Sequence, residues 1–155
     1  MKKIKATFVL ILLSLCYLPS SAQSNQPPIN EPDYNKPKLF ADLPGKISVN
    51  VEQVENALTL KVGASSRVLP TIDLLFVGDV VSAFKTPDGS SQTTVIKLIN
   101  RPGATFTLSK IFNKDGTVTY KGRIISRSNG DAFELIKEND QYFLIKKNLY
   151  DLMNE

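Results

Sequence analysis

The 155-residue chain contains no histidine, and its one cysteine is Cys16. Without histidine the Ser-His-Asp and Cys-His nucleophile systems have no general base. Zinc sites, built mainly from Cys and His, lose their ligands as well. Two short motifs imitate chemistry. Ser82-Ala83-Phe84-Lys85 has the Ser-x-x-Lys spelling of penicillin-binding enzymes, but the four residues end a predicted strand, where positions i and i+3 point to opposite faces. The Lys-Thr-Gly element that accompanies the motif is missing too. Asn113-Lys114-Asp115-Gly116-Thr117 looks like part of a calcium loop. Aligning Gly116 with that loop's glycine puts Ile111 at the first ligand position and Gly122 where a bidentate glutamate belongs, so a hairpin turn is expected instead. Neither a metal nor another cofactor is expected.

Carboxylate pairs are the remaining route to hydrolysis, since two acids about 5 to 9.5 Å apart suffice for a glycosidase. Glu52, Glu55, Asp73 and Asp79 are the candidates by position, but acids near turns and helix starts ordinarily serve as caps or solvated groups. Cationic side chains are more suggestive. Between Lys97 and Lys147 there are ten basic and five acidic residues. Lys121, Arg123, Arg127, Lys146 and Lys147 are the candidate partner-binding set, expected on one solvated strand face where they attract an anionic polysaccharide or an acidic protein. Exposed lysines also protect strand edges without any ligand.

The elements that must carry these residues are mostly strands. Ile47, Val49 and Val51 alternate with polar residues as in a half-buried strand. Asn50 followed by Gln53, with Val51, Val54 and Leu58 on one helical face, predicts a short helix near 51–58. Beyond Gly63, short apolar or alternating runs are separated by Pro87-Asp88-Gly89, Arg101-Pro102-Gly103, Lys114-Asp115-Gly116, Ser128-Asn129-Gly130 and Glu138-Asn139-Asp140. Each is turn chemistry, in which proline presets φ while Gly, Asn and Asp accept the left-handed region. Strands are predicted near 66–69, 75–84, 92–99, 104–111, 117–126, 132–137 and 141–147. Ala104, Phe106 and Leu108 alternate with Thr105, Thr107 and Ser109, so one sheet face is apolar and the other polar. The fold class is therefore mainly β: an antiparallel meander closing as a small barrel or folding over as a sandwich. Leu149, Tyr150, Leu152 and Met153 predict a last helical turn over an open end.

Lys2, Lys3 and Lys5, the apolar run Ala6–Leu15, and Pro19, Ser20, Ser21 and Ala22 follow the order of a secretory signal, with cleavage expected after Ala22. The run of about ten residues is too short to span a membrane, which takes roughly 20. Leu13-Ser14-Leu15-Cys16 is similar to a bacterial lipoprotein box, which would lipidate Cys16, but Leu15 stands where that pattern wants a small residue. Removing 1–22 takes three of 19 basic residues and none of 15 acidic ones, so the net charge falls from +4 to +1 and nucleic acid is not an expected partner. Residues 23–38, with Pro27, Pro28, Pro32 and Pro37, read as a proline-rich linker, and 39–155 as one β domain. Its fold cannot use an intramolecular disulfide.

Gly78-Asp79-Val80-Val81, Tyr120-Lys121-Gly122-Arg123-Ile124, Gly130-Asp131-Ala132-Phe133-Glu134-Leu135 and Tyr142-Phe143-Leu144-Ile145 give an order of strands and turns that loosely resembles the β-rich propeptide domains of secreted bacterial metalloproteases. The resemblance implies a free-standing partner or inhibitor, since no His-Glu-x-x-His protease domain follows. The function expected is that of a secreted or periplasmic, non-catalytic module that binds a protein or glycan. An envelope-tethered structural component and a carboxylate-dependent hydrolase are the alternatives. Intact mass of the exported protein checks the processing: a chain starting at Gln23 without lipid is expected, and a species starting at Cys16 with added acyl mass would replace a soluble assignment by an anchored one.

Overall fold

The computed structural model describes residues 33–68 and 76–153, which belong to one compact unit. The signal segment, Cys16, most of the linker and Asp73 lie outside the described residues. In chain order the elements are β1 (Lys46–Val49), α1 (Val51–Thr59), β2 (Ser65–Val68), β3 (Phe76–Lys85), β4 (Ser91–Leu98), β5 (Ala104–Phe112), β6 (Val118–Ser126), β7 (Asp131–Glu138), β8 (Gln141–Asn148) and α2 (Leu149–Met153). All eight strands join one antiparallel sheet in the order β1-β8-β7-β6-β5-β4-β3-β2. The protein is thus mainly β and a meander from β2 to β8, with β1 added beside the last strand. The sheet is not closed into a barrel: β1 and β2 form its two edges.

Local chemistry explains the element ends. Asn50 caps α1 by accepting from the Glu52 amide at 2.9 Å, while Gln53 reaches back to the Asn50 amide at 3.3 Å, the reciprocal box expected from the sequence. The strand therefore ends at Val49, and Val51 belongs to the helix. In the turn between β5 and β6, Asp115 accepts from the amide and hydroxyl of Thr117, and Gly116 takes φ 84°, so the calcium-like motif is a hairpin turn.

Register makes one face apolar. Ile96, Phe106, Ile124 and Phe133 stand side by side across β4, β5, β6 and β7, all fully buried. No second sheet covers them among the described residues. Cover comes from α1, through Val54, Ala57 and Leu58, and from residues 39–43. Phe40 is the centre of that cover, with its ring 5.3 Å from Phe133 and 6.5 Å from Phe76 in edge-to-face contacts.

Asp131 holds this segment in place. Its side chain is buried, and its two carboxylate oxygens accept from the Leu39 amide at 2.7 Å and the Phe40 amide at 2.8 Å. Chain that composition assigns to the linker is also docked. Pro37 accepts from the Gly130 amide, Lys36 Nζ donates to the Arg127 carbonyl, and the Tyr34 ring lies 5.7 Å from Tyr150. Proline content marks where helix and ladder fail, but it is blind to carbonyls satisfied by a distant turn.

The last helix forms at the predicted place but covers a different surface. Leu149 and Leu152 pack on Ala132 and Ile125, on the sheet face opposite the main core, rather than over an open end. Hydrogen bonds to a charged group contribute about 1.5–3 kcal/mol each, and an unpaired buried amide adds a desolvation cost. Asp131→Ala should therefore lower unfolding stability by about 3 kcal/mol, read as a lower urea midpoint with an unchanged slope. An unchanged midpoint would show that the 39–43 segment does not depend on the carboxylate.

Candidate functional site

Odd-numbered residues of β6 point to the outer, solvated face. Lys121, Arg123 and Ile125 alternate there with the buried Gly122, Ile124 and Ser126. Pairing then sets the neighbours: Ser109 stands beside Lys121, Thr107 beside Arg123, and Glu134 on the far side of Arg123. Arg123 Nε and Nη2 donate to Glu134 at 3.1 and 2.9 Å, and Nη1 donates to the Leu152 carbonyl at 3.2 Å. Arg123 thus ties α2 to the sheet as well as facing solvent.

A recess of about 900 Å³ lies along this face, with Lys121, Arg123 and Glu134 among its lining residues. A second of about 430 Å³ shares Thr107 and Arg123 with it and reaches Arg127. Together they form a groove over β5 and β6 in which three cationic side chains, Lys121, Arg123 and Arg127, meet one carboxylate, Glu134. Lys137 of β7 is on the opposite face, with Leu135 and Tyr142, where Asp140 at 2.8 Å raises its pKa through a hydrogen bond and its charge.

The structure brings together Lys121, Arg123 and Arg127 from the predicted set and separates the other two. Lys146 is on the apolar face, where its ammonium donates to the Leu43 carbonyl and lies 5.8 Å from the Phe133 ring. Lys147 is on the outer face, beside Ala132 and next to α2, and lines neither recess. Adjacent strand residues must face opposite ways, so Lys146 and Lys147 cannot share a face.

Among the described residues, the candidate carboxylates Glu55 and Asp79 do not share a site. Glu52 lies in the first turn of α1, Asp79 accepts from Ser65 Oγ, and Glu55 is engaged by Lys110 Nζ at 2.6 Å and by the Tyr120 hydroxyl. Among the described residues no three His, Cys, Asp or Glu side chains cluster as metal ligands. The Glu55 cluster was invisible in the sequence, because its members are 55 and 65 residues apart. Burial pushes Glu55 upward, but the hydrogen bonds from Lys110 and Tyr120 and the Lys110 charge outweigh it and leave the carboxyl below its ordinary 4.5. Burial and the adjacent Glu55 drive Tyr120 well above its ordinary 10.0, so the phenol remains a donor.

One further feature is a split in the sheet. The β6–β7 pairing runs from Ile125↔Ala132 only to Gly122↔Leu135, although β6 continues back to Val118 and β7 on to Glu138. The Tyr142 hydroxyl accepts from the Tyr120 amide at 3.3 Å, and the rings of Tyr120 and Tyr142 meet edge to face at 5.5 Å. At Gly122 an added Cβ would come within 3.1 to 3.3 Å of Phe106, Leu108 and Leu135, so the last paired position is also one where a side chain would crowd the core.

No protein-family model, curated protein or solved structure matches the chain. The Glu55 cluster yields a pH test. A carboxyl whose folded pKa is depressed adds stability above its unfolded value of about 4.5, and loses it as pH falls through the lower folded value. Melting temperatures of wild type and Glu55→Gln should differ most near neutral pH and converge below about 4. A gap independent of pH would assign Glu55 a packing role only.

Proposed function

We propose that the exported chain is a non-catalytic binding module acting outside the cytoplasm, and that it engages an anionic partner through the groove over β5 and β6. The observation that carries this reading is the line of Lys121, Arg123 and Arg127 along one groove of the outer face, with Glu134 as the single carboxylate among its lining residues. The floor between them is hydroxyl-rich, with Thr105, Thr107 and Ser109 on β5 supplying donors and acceptors that do not depend on charge. Glu55 and Asp79 support a non-catalytic role, because each is bound to its own local partner and the two do not share a site. A propeptide-like or inhibitor-like domain acting on a separate protein is one form the module could take.

Charge across an interface mainly accelerates association, and salt screens it over a Debye length of about 8 Å at physiological ionic strength. Lys121 and Arg127 are exposed, so replacing them leaves the core untouched. Lys121→Gln combined with Arg127→Gln should slow association with the partner recovered from the exported fraction several-fold at low salt, with stability within about 0.5 kcal/mol of wild type. Association at the wild-type rate at low salt would remove the groove from the binding surface.

A further inference from the structure

β3 is ten residues long, but β2 pairs only with its first four, Phe76–Asp79. Just beyond them the Val80 amide donates to the Ala64 carbonyl, and the Val80 carbonyl accepts from the Gly63 amide. Among the described residues no strand then pairs with Val81–Lys85 on the side away from β4, and all five residues are exposed. Register gives the direction of the free groups. The Thr86 amide donates to the Ser91 carbonyl, so Thr86, Phe84 and Ser82 turn their N–H and C=O groups to β4, while Ala83 and Lys85 turn theirs to the open edge. The register shift between Val80 and Ser82 sets this phase, since Val80, before it, bonds outward to Ala64. A bulge and a lysine ordinarily blunt such an edge. This one also carries apolar surface: Phe84 is 58% exposed, Val81 50%, and Val62, beside the Gly63 that closes the β2 side, 61%.

We infer that the free end of β3 is a dimer interface, at which β3 of a second copy of this chain adds antiparallel about a two-fold axis at Phe84 and joins the two sheets into one. The exposed groups fit that register. Ala83 of each copy stands opposite Lys85 of the other, and these are the two residues whose main-chain groups face out, so each pair exchanges both of its N–H···O bonds. Phe84 meets Phe84 on the outer face between those pairs, in the non-bonded position where side chains come closest and aromatic pairs add stability. No lysine opposes another, because Lys85 faces Ala83. Charge complementarity extends the contact: the turn after Lys85 brings the exposed Asp88 of each copy alongside the exposed Lys61 of the other. A patch that matches itself in this way is what a two-fold homodimer requires. The axis is normal to the sheet, so both outer faces lie on one side, and the dimer stands whether or not the groove over β5 and β6 binds a ligand.

Sedimentation of the exported chain tests this, and the mass should rise toward twice the monomer with concentration while amide exchange at Ala83 and Lys85 slows in parallel. Ala83→Pro removes an outward N–H and spares the bonds to β4, since proline is tolerated in a strand where its nitrogen faces away from the sheet. Phe84→Ser removes the aromatic pair. Each variant should weaken association several-fold. In a Cys16→Ser background Phe84→Cys leaves one cysteine per chain, and mild oxidation should cross-link it several-fold faster than Ser82→Cys, which stands opposite Thr86 in this register. A monomer at every concentration, with exchange at Ala83 and Lys85 unchanged, would overturn the inference. A dimer that both Ala83→Pro and Phe84→Ser leave as tight as wild type would do the same, as would equal cross-linking from positions 82 and 84. Exchange at Ala83 and Lys85 that slows only when a different exported protein is added would overturn the second copy as the occupant.

Discussion

A single sheet with one apolar face must find a cover, and here the cover is fixed by one buried carboxylate. Asp131 accepts the amides of Leu39 and Phe40 and so sets Phe40 against Phe76 and Phe133. Ionised carboxylates are costly to bury unless hydrogen-bonded, and both oxygens are used here. The remaining cover, α1, is attached by polar ties at its rim: Lys110 and Tyr120 hold Glu55, and Gln92 donates to the Leu58 carbonyl at 2.6 Å. A short amphipathic helix of nine residues would be marginal alone, and these contacts give it a defined place on β4 to β6.

Covering one face with short pieces leaves the other face free. α2 occupies only the Ala132 and Ile125 corner, and Arg123 links that helix to Glu134. What remains over β5 and β6 is a hydroxyl-bearing surface with cations along it. The groove and the core are thus two faces of the same strands. Residues two apart serve one task, and their immediate neighbours serve the other.

The split beside this groove arises from the same economy of strands. β7 leaves β6 after Leu135 to follow β8, and Tyr142 of β8 reaches under the gap to meet the Tyr120 amide. A tyrosine can fill such a gap because its ring packs in the core while its hydroxyl answers a stranded backbone group. Regular pairing therefore stops beside the recess on the outer face.

Periodicity and turn chemistry by themselves determined the mainly β class, the run of antiparallel strands, the capped helix after Asn50 and the hairpin at Asp115 and Gly116. These depend on residues within a few positions of one another, so their physics is local. They also placed Lys121 and Arg123 together on the solvated face of one strand. Tertiary structure decided the rest: that the sheet is not closed into a barrel, that Lys146 turns inward to Leu43 while Lys147 faces out, and that Glu55 meets Tyr120 across 65 residues. It also decided that Asp131, an ordinary acid after a turn in the sequence, clamps chain 91 and 92 residues away. Contacts of that span leave no periodic trace, because they depend on how strands are ordered and faces are covered, and nothing within a window of neighbouring residues encodes that.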